Sequence, residues 1–167
     1  MRRPFVARLP IGAGRRHAAA GIYGTIVATS IVAGLSETDR LTPAEALEIL
    51  LVSQAVFWLG HVYAGYLAGK ADHSVSGVTD LVSVAVYEWP MLRACLPAVF
   101  AMGAWWVGAL SEDTAYWLAL AAGIGELAAL GYAFGRRVGQ SMPAAVATAA
   151  VDGGLGALLV VAKVLAS

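Results

Sequence analysis

Apolar residues run in five long blocks along the chain: His17–Ser36, Ile49–Gly69, Ala94–Ser111, Thr114–Gly135 and Val138–Ala162. None of these blocks contains Lys or Arg, and their only carboxylates are Glu126 and Asp152. The hydrophobicity is continuous rather than alternating, which favours helices over barrel strands. About 20 residues at ~1.5 Å rise each cross a ~30 Å hydrocarbon core, and each block is close to that length. The pattern predicts an all-α, polytopic membrane bundle of five transmembrane helices. Spans are expected at about 17–36, 45–69, 91–111, 114–135 and 142–164, with a cytoplasmic connection at 70–90. Residues 1–16 read as a basic cytoplasmic tail, and 17–167 as one transmembrane domain.

Local signals set the element boundaries. Thr42-Pro43 reads as an N-cap followed by Pro at the first helical position, and Glu45 completes a capping box with Thr42. Within the long connection the apolar run Leu81–Tyr87 predicts a short interfacial helix, and Trp89-Pro90 opens the third span. Trp105, Trp106, Tyr116 and Trp117 mark an outer interface around a tight Ser111–Thr114 turn. The third and fourth spans therefore form an antiparallel hairpin. Small residues recur at helical spacing: Gly60 with Ala64, Gly65 with Gly69, and Gly131 with Gly135. Gly21 and Gly24 join them on the first span, and Gly153, Gly154 and Gly156 on the last. Such positions let helix backbones approach closely, either within one chain or between two.

Composition agrees with the pattern. The 167 residues are 59% hydrophobic and 13% charged, with a mean hydropathy of +0.72. Soluble domains carry about 25% charged residues, so this chain has too few to coat a water-facing shell. A disordered chain, a collagen-like repeat and a nucleic-acid binder relying on a broad basic surface are excluded. Eleven basic and eleven acidic residues cancel, but their distribution is asymmetric. Arg2, Arg3, Arg8, Arg15, Arg16, Lys70, Arg93, Arg136 and Arg137 fall on one side of the expected topology; Arg40 and Lys163 fall on the other, alongside Glu37, Asp39, Glu45, Glu48, Glu112 and Asp113. The positive-inside rule then puts the N-terminus in the cytoplasm and the C-terminus outside, in a bacterial-type inner membrane. The basic start followed by an apolar run also fits a signal peptide, but this run exceeds the usual 7–15-residue apolar region and points to a retained helix. The one cysteine, Cys95, cannot form an internal disulfide and reads as a small buried residue.

Candidate chemistry lies at the middle of the spans. His61, Glu126 and Asp152 all fall near the expected bilayer midplane. A charge there costs about 2.5–3.5 kcal/mol on insertion scales, so such groups face inward, pair or become neutral. One reading is a His61–Glu126–Asp152 cluster lining a path for a cation or proton, with Tyr23 and Gln54 nearby. The other is a structural hydrogen-bond clamp in a non-transporting scaffold or accessory protein. The sequence contains no P-loop, His-Glu-x-x-His, Gly-x-Ser-x-Gly or paired Gly-rich dinucleotide turn. No enzymatic activity and no cofactor are expected.

Several segments together resemble the vacuolar iron transporter family. They are Gly21-Ile22-Tyr23-Gly24 leading into Thr25–Gly34, the small-residue-rich Ala55–Gly69, the Pro-initiated Pro90–Gly108, and the hairpin Gly131–Gly156. The resemblance implies a five-helix dimeric transporter with a cytoplasmic insertion after the second helix, and hence a homodimer here. The chain departs from the family at the metal ligands. Ile22 and Tyr23 stand where the family has an Asn-Asp pair, and where the family's second helix supplies Met and Glu the second apolar block has no Met and offers His61. The connection also lacks Glu-x-x-Glu repeats. The resemblance therefore covers the scaffold and not the iron site.

Overall fold

The computed structural model describes residues 13–38, 40–71 and 77–166. Most of the expected basic tail (residues 1–12), together with Asp72 and His73, lies outside the described residues. The described chain is all-α, with helices α1 (Ala13–Leu35), α2 (Pro43–Ala71), α3 (Val78–Tyr87), α4 (Trp89–Arg93), α5 (Leu96–Trp106), α6 (Glu112–Arg137) and α7 (Met142–Ala166). No strand occurs among the described residues.

Helix α2 starts at the expected capping box. Thr42 donates its backbone N–H and its hydroxyl to Glu45 Oε2, each at 2.8 Å, and Glu45 N–H donates to Thr42 Oγ1 at 3.3 Å. This reciprocal pairing satisfies donors that a helix start otherwise leaves open. Ser111 caps α6 by accepting from Thr114 N–H at 3.4 Å. Helices α5 and α6 end in i→i−5 backbone bonds, Ala109 N–H to Ala104 O at 2.8 Å and Gln140 N–H to Gly135 O at 3.0 Å. Gly108 (φ 75°) and Gly139 (φ 82°) occupy the left-handed positions these terminations require.

The third expected span, 91–111, departs from a single helix. It forms two helices, α4 and α5, joined at Ala94–Cys95, and it stops at Trp106. Pro97 explains the break: it has no N–H to offer the Arg93 carbonyl, and its ring crowds that oxygen. Cys95 Sγ donates to Leu92 O at 3.1 Å within the joint.

Helices α6 and α7 form the most extensive pairing, and α1 packs against α6, α4, α2 and α7. A continuous core joins Val32 and Leu35 of α1, Leu50 of α2, Met102 of α5, and Tyr116 and Leu120 of α6, filled in by alanines. Among the described residues two helices, α2 and α6, are long and apolar enough to cross a membrane. Only 22% of the apolar window of α2 and 33% of that of α6 is buried. Val56, Phe57 and Leu59 on α2, and Leu155, Leu158 and Val161 on α7, are exposed.

Candidate functional site

The structure gives each of the three mid-span ionisable residues different neighbours. His61 is exposed on α2; its ring stacks on Tyr23 of α1, with centroids 5.2 Å apart and planes at 26°. Its Nε2 lies 3.9 Å from Glu88 Oε2, at the joint between α3 and α4. Asp152 on α7 packs against Gly131 of α6, where a Cβ would collide with its carboxylate. Glu126 on α6 sits beside the Thr25 hydroxyl of α1 and within electrostatic reach of Arg93 on α4. No group of three or more His, Cys, Asp or Glu side chains that could hold a metal ion occurs among the described residues. Depth along a helix does not fix a residue's rotation about the axis, so three residues at one level on three helices can have separate neighbours.

Gln54 is fully buried and acts as a clamp. Its side-chain N–H group donates to Met91 O at 2.7 Å and to Gly24 O at 3.4 Å, tying α2 to α4 and α1. Gly24 makes the clamp possible: a Cβ there would run into the backbone of Met91. Gly21, Gly65, Gly131, Gly135 and Gly153 also face close neighbours, whereas Gly60 and Gly154 have nothing within 4 Å. Close packing within the chain at Gly60 and Gly154, one of the two readings of their spacing, is therefore corrected. Gly69 lies near the end of α2. Gly123 was not singled out by spacing, yet a Cβ there would strike the Thr29 side chain across the α1–α6 contact.

A cavity lined by Glu126 and two arginines is formed by α6, α1 and α4. It measures about 320 Å³ and is lined by Gly21, Pro90, Arg93, Glu126, Leu130, Ala133, Phe134 and Arg137. Glu126, Leu130, Ala133 and Arg137 are spaced by four, three and four residues, so they share one stripe of α6. The cavity therefore runs lengthwise from mid-helix to the basic C-terminal end of α6. Glu126 Oε2 is buried without a hydrogen-bond partner. The sequence marks Arg93 only as a flanking charge; in the structure it lies on α4, which packs against α1, within electrostatic reach of Glu126. Pairwise, the structure thus assembles Glu126 with Thr25 and Arg93, and His61 with Tyr23 and Glu88.

No family model, curated protein or solved structure matches this chain.

Proposed function

We propose that the chain is a five-span protein of the cell (inner) membrane that passes protons or a small cation by way of Glu126. The observation that carries this reading is a mid-helix carboxyl with an unpartnered oxygen, on the wall of a cavity of about 320 Å³. Buried acids without a donor are costly in an apolar interior, and intramembrane examples mark ion or proton pathways.

The exposed apolar faces of α2, α5 and α7 support the membrane setting. Apolar surface in water costs about 25 cal/mol per Å², and soluble proteins rarely expose large continuous patches. The five crossings are then α1, α2, the α4–α5 pair, α6 and α7, with the N-terminus cytoplasmic and the C-terminus outside. Trp89–Trp106 reaches ~27 Å at the helical rise, so the broken third crossing is still long enough. Arg93 and Arg137 line the cavity and repel any cation, a divalent ion about twice as strongly as a monovalent one. This agrees with a vacuolar iron transporter-like scaffold that has lost the family's iron ligands. A homodimer would cover the open helix faces at Gly60 and Gly154.

A second reading, a non-transporting scaffold, is favoured by one observation: Gln54 spends its side-chain N–H group on two backbone carbonyls and offers none to a path. Flux into proteoliposomes separates the two readings. Transport predicts H⁺ movement that Glu126→Gln abolishes. No flux of H⁺, Fe²⁺, Mn²⁺ or Zn²⁺ in the wild type supports the scaffold.

A further inference from the structure

We propose that the cavity between Arg93 and Arg137 is a binding site for a phosphate group that carries a hydrogen-bond donor nearby, such as a phosphoethanolamine moiety. The site shares the cavity of the proton path, but binding here rests on the two arginines and does not require flux.

Charge gives the first reason. Two guanidinium groups and one carboxylate line the cavity, so its electrostatic balance is positive and calls for an anion. Arg136, the adjacent cation, is directed elsewhere: its Nη1 donates to Gln140 O at 3.2 Å. Among the described residues no carboxylate lies within ion-pair distance of Arg137. Arg forks match phosphate oxygens in paired, charge-assisted hydrogen bonds, which makes phosphate the chemistry these groups fit best.

Shape and the remaining polar group refine the ligand. A volume of about 320 Å³ is at the small end of ligand sites and suits a headgroup-sized molecule. Leu130 and Phe134 supply an apolar wall for its carbon atoms. Glu126 lines the same cavity and its Oε2 still lacks a donor, which an ammonium or hydroxyl group a few bonds from the phosphate would supply. The same chemistry occurs in a phospholipid headgroup and in a free phosphate ester.

The full chain, purified in a phosphate-free maltoside detergent, is titrated with soluble phosphoethanolamine and, separately, with phosphatidylethanolamine in mixed micelles. Thermal stability and native mass spectrometry are the readouts. The proposal predicts a bound adduct and a raised melting temperature with at least one ligand. Arg93→Gln with Arg137→Gln should weaken binding by about tenfold or more, whereas Arg136→Gln should leave it unchanged. Both cavity arginines are exposed, so the double variant should keep its helical content and unliganded melting temperature. Glu126→Gln should retain phosphate binding and lose the preference for ethanolamine over choline. Response to the lipid alone identifies a headgroup site, and response to the soluble ester as well identifies a site open to free ligand. No adduct with either, or equal binding by the wild type and the double arginine variant, overturns the proposal.

Discussion

The imidazole of His61 lies against the phenol ring of Tyr23, with centroids 5.2 Å apart and planes 26° from parallel. This contact joins α1 to α2 two helical turns along α2 from the buried Gln54 clamp that joins the same helices. Stacked aromatic pairs contribute about 0.5–1.5 kcal/mol beyond area burial. A double-mutant cycle with Tyr23→Leu and His61→Leu, read by unfolding in mixed micelles, should return a coupling of that size. A coupling of zero would mean that the rings touch without holding the helices.

Gln54 should be more sensitive to charge than to loss of its amide. Gln54→Leu removes donors to Met91 O and Gly24 O, and membrane hydrogen bonds of this kind average ~0.6 kcal/mol with maxima near 2. Gln54→Glu instead sets carboxylate oxygens against two backbone carbonyls and should cost more than the Leu change. Unfolding free energies of the two variants measure the order; the reverse order would remove the clamp.

Glycines at equal spacing should behave differently. Gly24→Ala drives a Cβ into the Met91 backbone, and overpacking of this kind costs about 1–3 kcal/mol or more. Gly154→Ala enters open space and should be neutral, or stabilising by up to ~1 kcal/mol through helix propensity. Melting temperatures of the two single variants should therefore move apart. Equal losses would show that Gly154 is covered, as the proposed homodimer could do.

Pro97 is the physical cause assigned to the α4–α5 break. Pro97→Ala restores an N–H for the Arg93 carbonyl and should extend protection from hydrogen exchange across 94–97. Straightening the joint should also draw Arg93 away from Glu126. Unchanged exchange at these positions would assign the break to tertiary packing instead.

The capping box at Thr42 and Glu45, the Trp89-Pro90 helix start and the turn capped by Ser111 were legible because each depends on a few adjacent residues. The short helix Val78–Tyr87 likewise follows from its apolar run. The α4–α5 break was hidden because Pro97 lies in a block whose hydropathy alone reads as one span. The site was less legible than the elements. Counting residues along a helix gives the depth of His61, Glu126 and Asp152 but not their bearing, which depends on how each helix turns against its neighbours. Arg93 was hidden for the same reason: as a flanking charge it indicates topology, and its place beside Glu126 needs the packing of α4 on α1.

The membrane arrangement is the claim on which the rest depends, and cysteine labelling tests it most directly. In a Cys95→Ala background, Thr38→Cys and Ser141→Cys each place one thiol in a connection between helices, and Asp113→Cys places one in the first turn of α6. A membrane-impermeant maleimide applied to intact cells should label Thr38→Cys and Asp113→Cys, and should reach Ser141→Cys only after permeabilisation. Equal labelling of Asp113→Cys and Ser141→Cys in intact cells, or a monodisperse protein recovered from lysate without detergent, would contradict the account.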